Sequence, residues 1–405
     1  MSNAFPSSGR RAFQFAAELA FPRLVGSRGE TLARQLIIQK WKSLGLSVET
    51  AEFPASDFAI NSAARWALVP SGSFLLIAAI CFRAGYPLGS LLSALIAVGF
   101  TFFLAGEFKT AFARWDHRGK KFQTANIIAS GTGLSATGLS GTGFQPVPTV
   151  IFMAHYDSKS QTFPLWLRLF CFLAGGFGGL ALASLTALVS ILDLAGIATA
   201  LQNPLTWSAL VVFLISAALL CNRVQNQSPG ALDNAAGVAV ITEIARELLA
   251  EPPAGLNLVF VATAAEELGL CGAKEFIKGH RQNAGATTYF INYDSPGYGS
   301  RALALSAYGI PRKKISPELN RALAEIAHAQ AIPFRLVYLP VGAATDLFPV
   351  LHAGFQGVNL SSFNPRIHTP ADTIETIREQ ALADNITLGL ELARRLAEKH
   401  GPKPS

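Results

Sequence analysis

The apolar positions along this chain follow two regimes. Four stretches run apolar with no charge inside them. Trp66–Phe82 is apolar apart from Ser and Gly and is flanked by Arg65 and Arg83, while Pro87–Gly106 holds twenty uncharged residues. Leu169–Leu192 holds twenty-four, ending at Asp193, and Leu205–Cys221 holds seventeen before Arg223. A bilayer core of about 30 Å takes about 20 residues of helix, within a range of about 17–25. Each stretch therefore reads as a membrane span, the first and last at the short end, with buried core helices as the alternative. Short connections, Arg83–Tyr86 and Asp193–Pro204, pair them into two helical hairpins, and a hairpin returns the chain to the side it left. The run Ala174–Gly179 suits either close helix–helix contact in lipid or a loop.

The rest of the chain is periodic. Leu32, Leu36, Ile37, Trp41 and Leu44 recur at helical spacing over Glu30–Leu44, which stops at Gly45, and Leu46–Phe53 alternates like a strand. Ala125–Ala129, Thr149–Ala154, Leu256–Ala262, Thr288–Tyr293, Phe334–Leu339 and Gly357–Leu360 read as short strands. Asn234–Leu249, Gly272–Lys278, Pro317–Gln330 and Glu375–Lys399 read as helices. Strands separated by helices imply an α/β sandwich around a mostly parallel sheet. The tract Gly131–Phe144, in which "TGLS" occurs twice, is too small and polar to pack and reads as a flexible surface insertion. The predicted organisation is a catalytic domain assembled from 1–63, 108–163 and 223–405, with hairpins inserted at 64–107 and 164–222.

Composition sharpens this reading. Half of the 405 residues are apolar and 15% are charged, against an average near 25%. Mean hydropathy is +0.35, which excludes a disordered chain. The net charge of +7 is not gathered into a basic stripe with aromatics between, so no nucleic-acid partner is expected. Four cysteines exclude a disulfide scaffold; Cys81, Cys171 and Cys221 lie in apolar runs and read as buried thiols. Arg65, Lys109, Arg114, Arg118, Lys120, Lys121, Lys159, Arg168 and Arg223 flank the body ends of the spans, against Arg83 alone in a hairpin turn. The positive-inside rule then places the body in the cytoplasm, as part of a multi-pass membrane protein with four spans. Glu18 interrupts the only apolar stretch near the N-terminus, so no secretory signal is expected.

In parallel sheets chemistry gathers beyond the carboxyl ends of the strands. Here "TVIFMA" runs into His155 and Asp157, "LVFVATA" into Glu266 and Glu267, and "TTYFIN" ends two residues before Asp294. Asp233 stands at the start of the helix after "SPGAL", and His368 lies in a loop before the last helix. Singly, each has an ordinary reading as a cap or a solvated charge. Together they form a set of carboxylates that would repel one another without a shared cation. Imidazole and carboxylate without thiolate suit catalytic zinc, with manganese or cobalt as alternatives. Three carboxylates against two divalent cations and a bridging hydroxide bring the count to neutrality, which favours two ions. Glu266, unable to share a metal face with Glu267, is better placed to take the proton of the attacking water. Asp157, two residues beyond His155, can orient its ring.

These segments, "AHYDS", "SPGALDNAAGVA", "ATAAEELGLCGAKEF", "INYDSPG" and "IHTPADT", resemble in order those of metallopeptidase family twenty-eight, the co-catalytic zinc aminopeptidases. The opening "FPRLVGSRGETLARQLIIQKWKSLGLSVE" is similar too. The resemblance implies a three-layer α/β/α sandwich with a mostly parallel mixed sheet, two zinc ions per chain and a peptide substrate. By position it implies that Asp233 bridges the metals, with His155 and Asp294 completing one site and Glu267 and His368 the other. Glu266 would be the general base and Asp157 a supporting aspartate, both catalytic. It also implies a cis peptide at Asp233–Asn234. The chain departs from the family in Ser295-Pro296 after Asp294 and in Thr345-Asp346-Leu347 near the end, where Asp346 becomes a candidate substrate contact. Tyr308 and Tyr338 are candidates to stabilise an oxyanion.

The expected activity is that of a membrane-embedded aminopeptidase. Two alternatives stand beside it. "HYDSK" is similar to the glutaminyl cyclases of the same family, which would use one zinc, although "DNAAGVA" and "AAEELG" argue against them. A catalytically inactive membrane scaffold of the same fold would show a broken ligand set, which this chain does not.

Overall fold

A computed structural model describes residues 6–58, 60, 64–109, 118–131, 147–281, 287–340 and 344–400. In chain order the elements begin α1 (Pro6–Leu19), α2 (Arg28–Ser43), β1 (Ser47–Ser56), α3 (Ala64–Arg83), α4 (Pro87–Lys109), β2 (Lys121–Ser130), β3 (Thr149–His155), β4 (Ser160–Gln161), α5 (Leu165–Phe172), α6 (Gly179–Leu194), α7 (Gln202–Ala218) and β5 (Val224–Gln225). They continue α8 (Ala236–Ala250), β6 (Asn257–Thr263), α9 (Cys271–Arg281), β7 (Thr288–Asp294), β8 (Ala302–Tyr308), β9 (Lys313–Lys314), α10 (Pro317–Ala329), β10 (Phe334–Leu339), α11 (Leu347–His352), β11 (Gln356–Ser361) and α12 (Glu379–His400). The chain divides into two units, one of 1–55, 122–160 and 226–405, the other of 56–121 and 161–225.

The first unit is built on a nine-stranded mixed sheet in the order β1-β2-β6-β3-β7-β11-β8-β10, with β9 paired to β8. The central neighbours β6, β3, β7 and β11 run parallel, as do β8 and β10, while β2 and β8 run antiparallel to their neighbours β6 and β11. Every residue of β3 is buried, as a strand covered on both faces requires. Side chains alternate across it. Ile151 and Met153 meet Ala273 and Ile277 of α9 and Leu347 and Val350 of α11. Phe152 points to the other face and stacks on Phe260 at 5.3 Å. This mostly parallel α/β architecture is the one the element order implies.

Several boundaries differ from those read off the pattern. The helix expected from Asn234 starts at Ala236, because Asp233 and Asn234 hold non-helical backbone (φ −114°, ψ 84° and φ −141°, ψ 43°) and their peptide is cis. The last helix starts at Glu379 rather than Glu375; residues Ile374–Thr376 form a single tight turn whose Thr373 carbonyl accepts the Thr376 N–H. Elements that the pattern did not predict are α1, β8 and α11, together with the two-residue strands β4, β5 and β9. Beyond Gly131, the tract Gly131–Phe144 lies outside the described residues, as does Arg114.

Helix α12 shows how tightly the first unit is packed. A Cβ added at Gly389 would overlap the Tyr293 hydroxyl and come within 2.8 Å of Ile244 Cδ1. Ala normally favours a helix over Gly by about 1 kcal/mol, but overpacking a filled core costs about 1–3 kcal/mol. The Tyr293 ring is wholly buried and its hydroxyl donates to the Asn385 carbonyl at 3.1 Å, so it cannot retreat. Gly389→Ala should therefore lower the melting temperature; an unchanged or higher value would show that the ring can move.

The second unit has its residue sizes inverted. Inside lie small side chains: Ala78, Ala79, Ala94, Ala97, Ala183 and Ala209 are buried, with Leu75 among them. Gly175 and Gly72 sit so close to Ser216 that an added Cβ would lie 2.9 Å and 3.3 Å from its Oγ. Outside lie Ile77, Ile80, Leu92, Leu95, Leu188, Ile191, Val211 and Leu214, each 45% exposed or more. Interior hydroxyls bond across helices, Ser71 to the Ala97 carbonyl (2.9 Å) and Ser190 to Ser90 (2.7 Å). The glycine run is a wide helical turn, Leu173–Gly178, that carries α5 into α6, and not a loop. By length and composition, Arg65–Arg83, Leu165–Leu194 and Gln202–Cys221 can each cross a membrane, and Pro87–Phe103 is a shorter apolar helix among the described residues.

Candidate active site

The carboxyl ends of β6, β3, β7 and β11 lie side by side. His155, the last residue of β3, is level with Thr263, the last of β6, and Asp294, the last of β7, is level with Ser361, the last of β11. Glu266 and Glu267 follow three and four residues beyond Thr263, and His368 lies in the loop after Ser361 with positive φ (60°). Asp233 enters between them on the bent segment before α8.

Six of the seven singled-out side chains converge, and the seventh braces them. His155 Nε2 lies 3.2 Å from Asp233 Oδ1, 3.9 Å from Asp294 Oδ1 and 3.9 Å from Glu266 Oε2. His368 Nε2 lies 3.0 Å from Asp233 Oδ2 and 3.2 Å from Glu267 Oε1. Two triads result, His155–Asp233–Asp294 and Asp233–Glu267–His368, each with its ligand atoms within 4.8 Å of one another. Asp233 belongs to both, presenting one oxygen to each.

Asp157 meets the His155 ring, as expected of it, and also has a second task. Its two oxygens accept the backbone N–H groups of Glu266 (3.2 Å) and Glu267 (3.1 Å), which fixes the turn carrying both glutamates. The ring Nδ1–H of His155 donates to the Asp157 carbonyl at 3.2 Å, with the carboxylate at 3.7 Å. Either way Nε2 is left with its lone pair aimed into the cluster.

Acceptor faces acceptor in this cluster, and the electrostatics record it. Burial alone would lower the His155 imidazole, but Glu266, Asp157, Asp233 and Asp294 hold it well above its ordinary range. Against burial, the two histidines keep Asp233 well below the usual carboxylate range. Glu267 is likewise brought down to about 2, against burial, by His368 and Lys159. Glu266 is pushed well above its ordinary value by burial, which His155 opposes and Glu267, Asp294 and Asp346 reinforce. His155 Nε2 and Glu267 Oε1 are buried with no hydrogen-bond partner. Buried donors and acceptors are otherwise almost always paired, so this donor set fits cations placed within the two triads, and imidazole with carboxylate suits zinc.

Residues 207–393 match Peptidase family M28. Over that segment the chain is similar to the family. Aminopeptidase YwaD of Bacillus subtilis is 30% identical over 166 residues, 38% of this chain and 35% of its own length. A vacuolar membrane protease of Clavispora lusitaniae is 24% identical over 176 residues, 42% of this chain and 16% of its own. The match thus spans about a third of the first relative and less of the second. Among solved structures, a leucine aminopeptidase precursor from Bacteroides thetaiotaomicron shares the fold with a TM-score of 0.55 and 14% identity, over 95% of this chain and 96% of that one.

Four residues around the cluster escaped the sequence reading. Lys159, read as a membrane-flanking cation, is 7% exposed and lies with Nζ 2.5 Å from Glu267 Oε2, so one glutamate oxygen faces lysine and the other faces His368. It also adds a positive charge to the count of three carboxylates. Asp372 accepts the N–H groups of Leu232 (2.9 Å) and Asp233 (3.1 Å) and is pushed up to about 6 by burial and by Asp233. Its signal in the sequence is the motif "IHTPADT", where it stands four residues after His368. Asn234 donates to the Tyr293 carbonyl (2.8 Å) and accepts the N–H groups of Gly237 and Ser295 (3.0 Å each), joining α8 to the turn after Asp294. Arg23 carried no signal beyond its place in the N-terminal stretch.

The remaining candidates resolve differently. Tyr308 stacks on Phe348 at 4.7 Å, and the Tyr338 hydroxyl donates to the Gly309 carbonyl at 2.8 Å beneath Arg312. Neither contact reaches the cluster. Asp346 is 1% exposed; its Oδ2 accepts the Thr263 hydroxyl and its Oδ1 has no partner.

Burial pushes the Asp346 carboxyl up to about 7, against about 3.9 in an unfolded chain. The folded chain therefore keeps a proton that the unfolded chain has lost, so this contribution is full below about pH 4 and is lost as pH rises through 7. Melting temperatures of zinc-stripped protein, followed from pH 5 to 8, should fall more steeply for the unaltered chain than for Asp346→Asn. Parallel slopes would place the ionisation elsewhere.

Proposed function

We propose that this protein is a membrane-embedded zinc aminopeptidase that removes N-terminal residues from peptides. The observation that carries the reading is the pair of ligand triads sharing Asp233, with Glu266 beside them and outside both. His155, Asp233 and Asp294 would hold one zinc ion, and Asp233, Glu267 and His368 a second. Zinc bound there would acidify a water and polarise the scissile carbonyl.

The chain's own residues supply the remainder. Glu266 takes the proton of the attacking water on its carboxylate and returns it to the departing amine. Its burial favours this, since a carboxylate raised above its ordinary value is a stronger base. Asp157 holds the backbone of Glu266 and Glu267, so base and ligand keep a constant offset. Asp372 does the same for Asp233 through its backbone N–H.

The second unit supports the membrane part of the proposal. A surface of large apolar side chains over an interior of small ones is stable in hydrocarbon and costly in water. Trp66 and Trp166 stand exposed where α3 and α5 begin, and Tyr86 and Trp207 stand exposed at the opposite ends of the hairpins. Aromatic residues favour the two membrane interfaces, and the 20 residues of α3 span about 30 Å. All four helices would cross, with the first unit on the cytoplasmic side, as the basic residues Arg65, Arg118, Lys120, Lys121 and Arg223 favour.

The test uses detergent-purified, zinc-loaded protein with a peptide bearing a free N-terminus and its N-acetylated twin, products being mapped by mass spectrometry. Stepwise loss of N-terminal residues from the free peptide alone is expected. Cleavage of neither would overturn the aminopeptidase reading, and release of the protein from membranes by alkaline carbonate would overturn the spanning helices.

A further inference from the structure

Between His155, which belongs to one of the two proposed zinc triads, and Asp233, which belongs to both, the chain leaves the first unit as the segment 161–225. At the neck of that segment β4 pairs with β5 and the Gln227 N–H donates to Ser160 Oγ (3.0 Å). A third segment ties the two sides nearer the ligands. Arg23 is 1% exposed, and its guanidinium reaches five carbonyls. Nε donates to Tyr156 (2.8 Å), between His155 and Asp157; Nη2 donates to Gly230 (2.9 Å), three residues before Asp233; Nη1 donates to Pro229 (2.6 Å), Phe21 (2.8 Å) and Leu19. The backbone repeats the tie. Arg23 N–H donates to Ser158 Oγ (3.0 Å), Ser158 N–H donates back to the Arg23 carbonyl (3.3 Å), and Ser158 Oγ donates onward to the Ser228 carbonyl (3.2 Å). Gly230 holds positive φ (57°) there, and a Cβ on it would come within 3.0 Å of the Arg23 guanidinium. A planar fork of five N–H groups is the side chain suited to so many fixed carbonyls; lysine has three donors on one atom.

We infer that Arg23 is a positioning residue of the metal centre, clamping the strand end that carries His155 to the turn that carries Asp233 across the inserted segment. It touches neither ligand side chain. Its action is to hold the two backbones that aim them. The inference rests on the two-triad zinc reading.

The test compares full-length, detergent-purified Arg23→Lys and Ser158→Ala with the unaltered protein. Arg11→Met is the control; it breaks the ion pairs of α1 to Glu243 and Glu247 (2.7 Å each), on a neighbouring part of the same N-terminal segment. Three quantities are measured: zinc affinity by competition with a chromogenic chelator, the visible absorption spectrum of the cobalt-substituted protein, and kcat and KM separately. Loss of a residue that orients metal ligands costs about 10–100-fold in metal affinity or activity. Arg23→Lys should show that loss in affinity, an altered cobalt spectrum and a reduced kcat at little-changed KM. Ser158→Ala should show smaller changes of the same kind. Arg11→Met should lower the melting temperature and leave the cobalt spectrum alone. Unaltered cobalt spectra and zinc affinity in both Arg23→Lys and Ser158→Ala would overturn the inference, as would an equal spectral change in Arg11→Met. Failure of the unaltered protein to bind zinc would overturn the metallopeptidase reading itself, and this inference with it.

Discussion

Glu266→Gln should lower kcat by about 10²–10⁴-fold, the range for losing a positioned general base, while the zinc content stays that of the unaltered protein. Glu266 lies outside both ligand triads and approaches His155 Nε2 only to 3.9 Å. Its backbone N–H, held by Asp157, survives the substitution. Gln keeps the volume and one acceptor oxygen but cannot accept a proton at working pH. Zinc assay and steady-state kinetics on the same preparation separate the two effects. Retention of more than a tenth of kcat would mean that the water loses its proton to another group, and loss of zinc in parallel would make Glu266 a ligand.

Asp233→Ala should empty both sites, because its Oδ1 faces His155 and its Oδ2 faces His368 at 3.2 and 3.0 Å. His368→Ala, by contrast, removes a ligand from one triad only. Zinc per chain, measured after equilibration with a weak chelator, should fall from two towards zero in Asp233→Ala and towards one in His368→Ala. Activity should be lost in both. The same stoichiometry in the two variants would break the sharing of Asp233, and with it the two-ion reading. Each variant leaves a buried histidine or carboxylate without its partner, so the zinc-free melting temperature should be read alongside; breaking a buried pair costs several kcal/mol at most, about 3–5.

Much of the first unit was legible before any tertiary information, because its elements repeat at local periods. The run "TVIFMA" is apolar throughout, and β3 lies at the centre of the sheet, buried on both faces. The spacing over Glu30–Leu44 matches α2, whose buried face carries Ala33, Ile37 and Trp41. Helix α1 was legible in principle, since Ala12, Phe15, Ala16 and Leu19 are buried at helical spacing. Strand β8 and helix α11 are short, seven and six residues, and so brief a pattern carries little periodic signal. The bend at Asp233–Asn234 could not be read from periodicity, because apolar helical spacing continues through it.

At the site the division is sharper. The residue types and their order beyond the strand ends depend only on sequence, and these were enough to name the seven side chains and the metal chemistry they suit. Which oxygen faces which histidine depends on strand order and register, and those are set by packing across the whole sheet. Lys159 shows the limit. In sequence it is one basic residue near an apolar run, counted among membrane flanks, whereas in the fold it is buried against Glu267 at 2.5 Å. Arg23 and Asp372 act through backbone groups more than a hundred residues away, on carbonyls and N–H groups that every residue possesses. Sequence alone determined the periodic elements, the apolar segments and the inventory of ligand-type side chains, since each follows from chemistry local in the chain. The family resemblance implied how the two triads pair, but the tertiary structure alone decided which oxygen faces which histidine and the clamps behind them, because a buried charge or backbone group takes its partner from whatever the fold brings within about 3 Å.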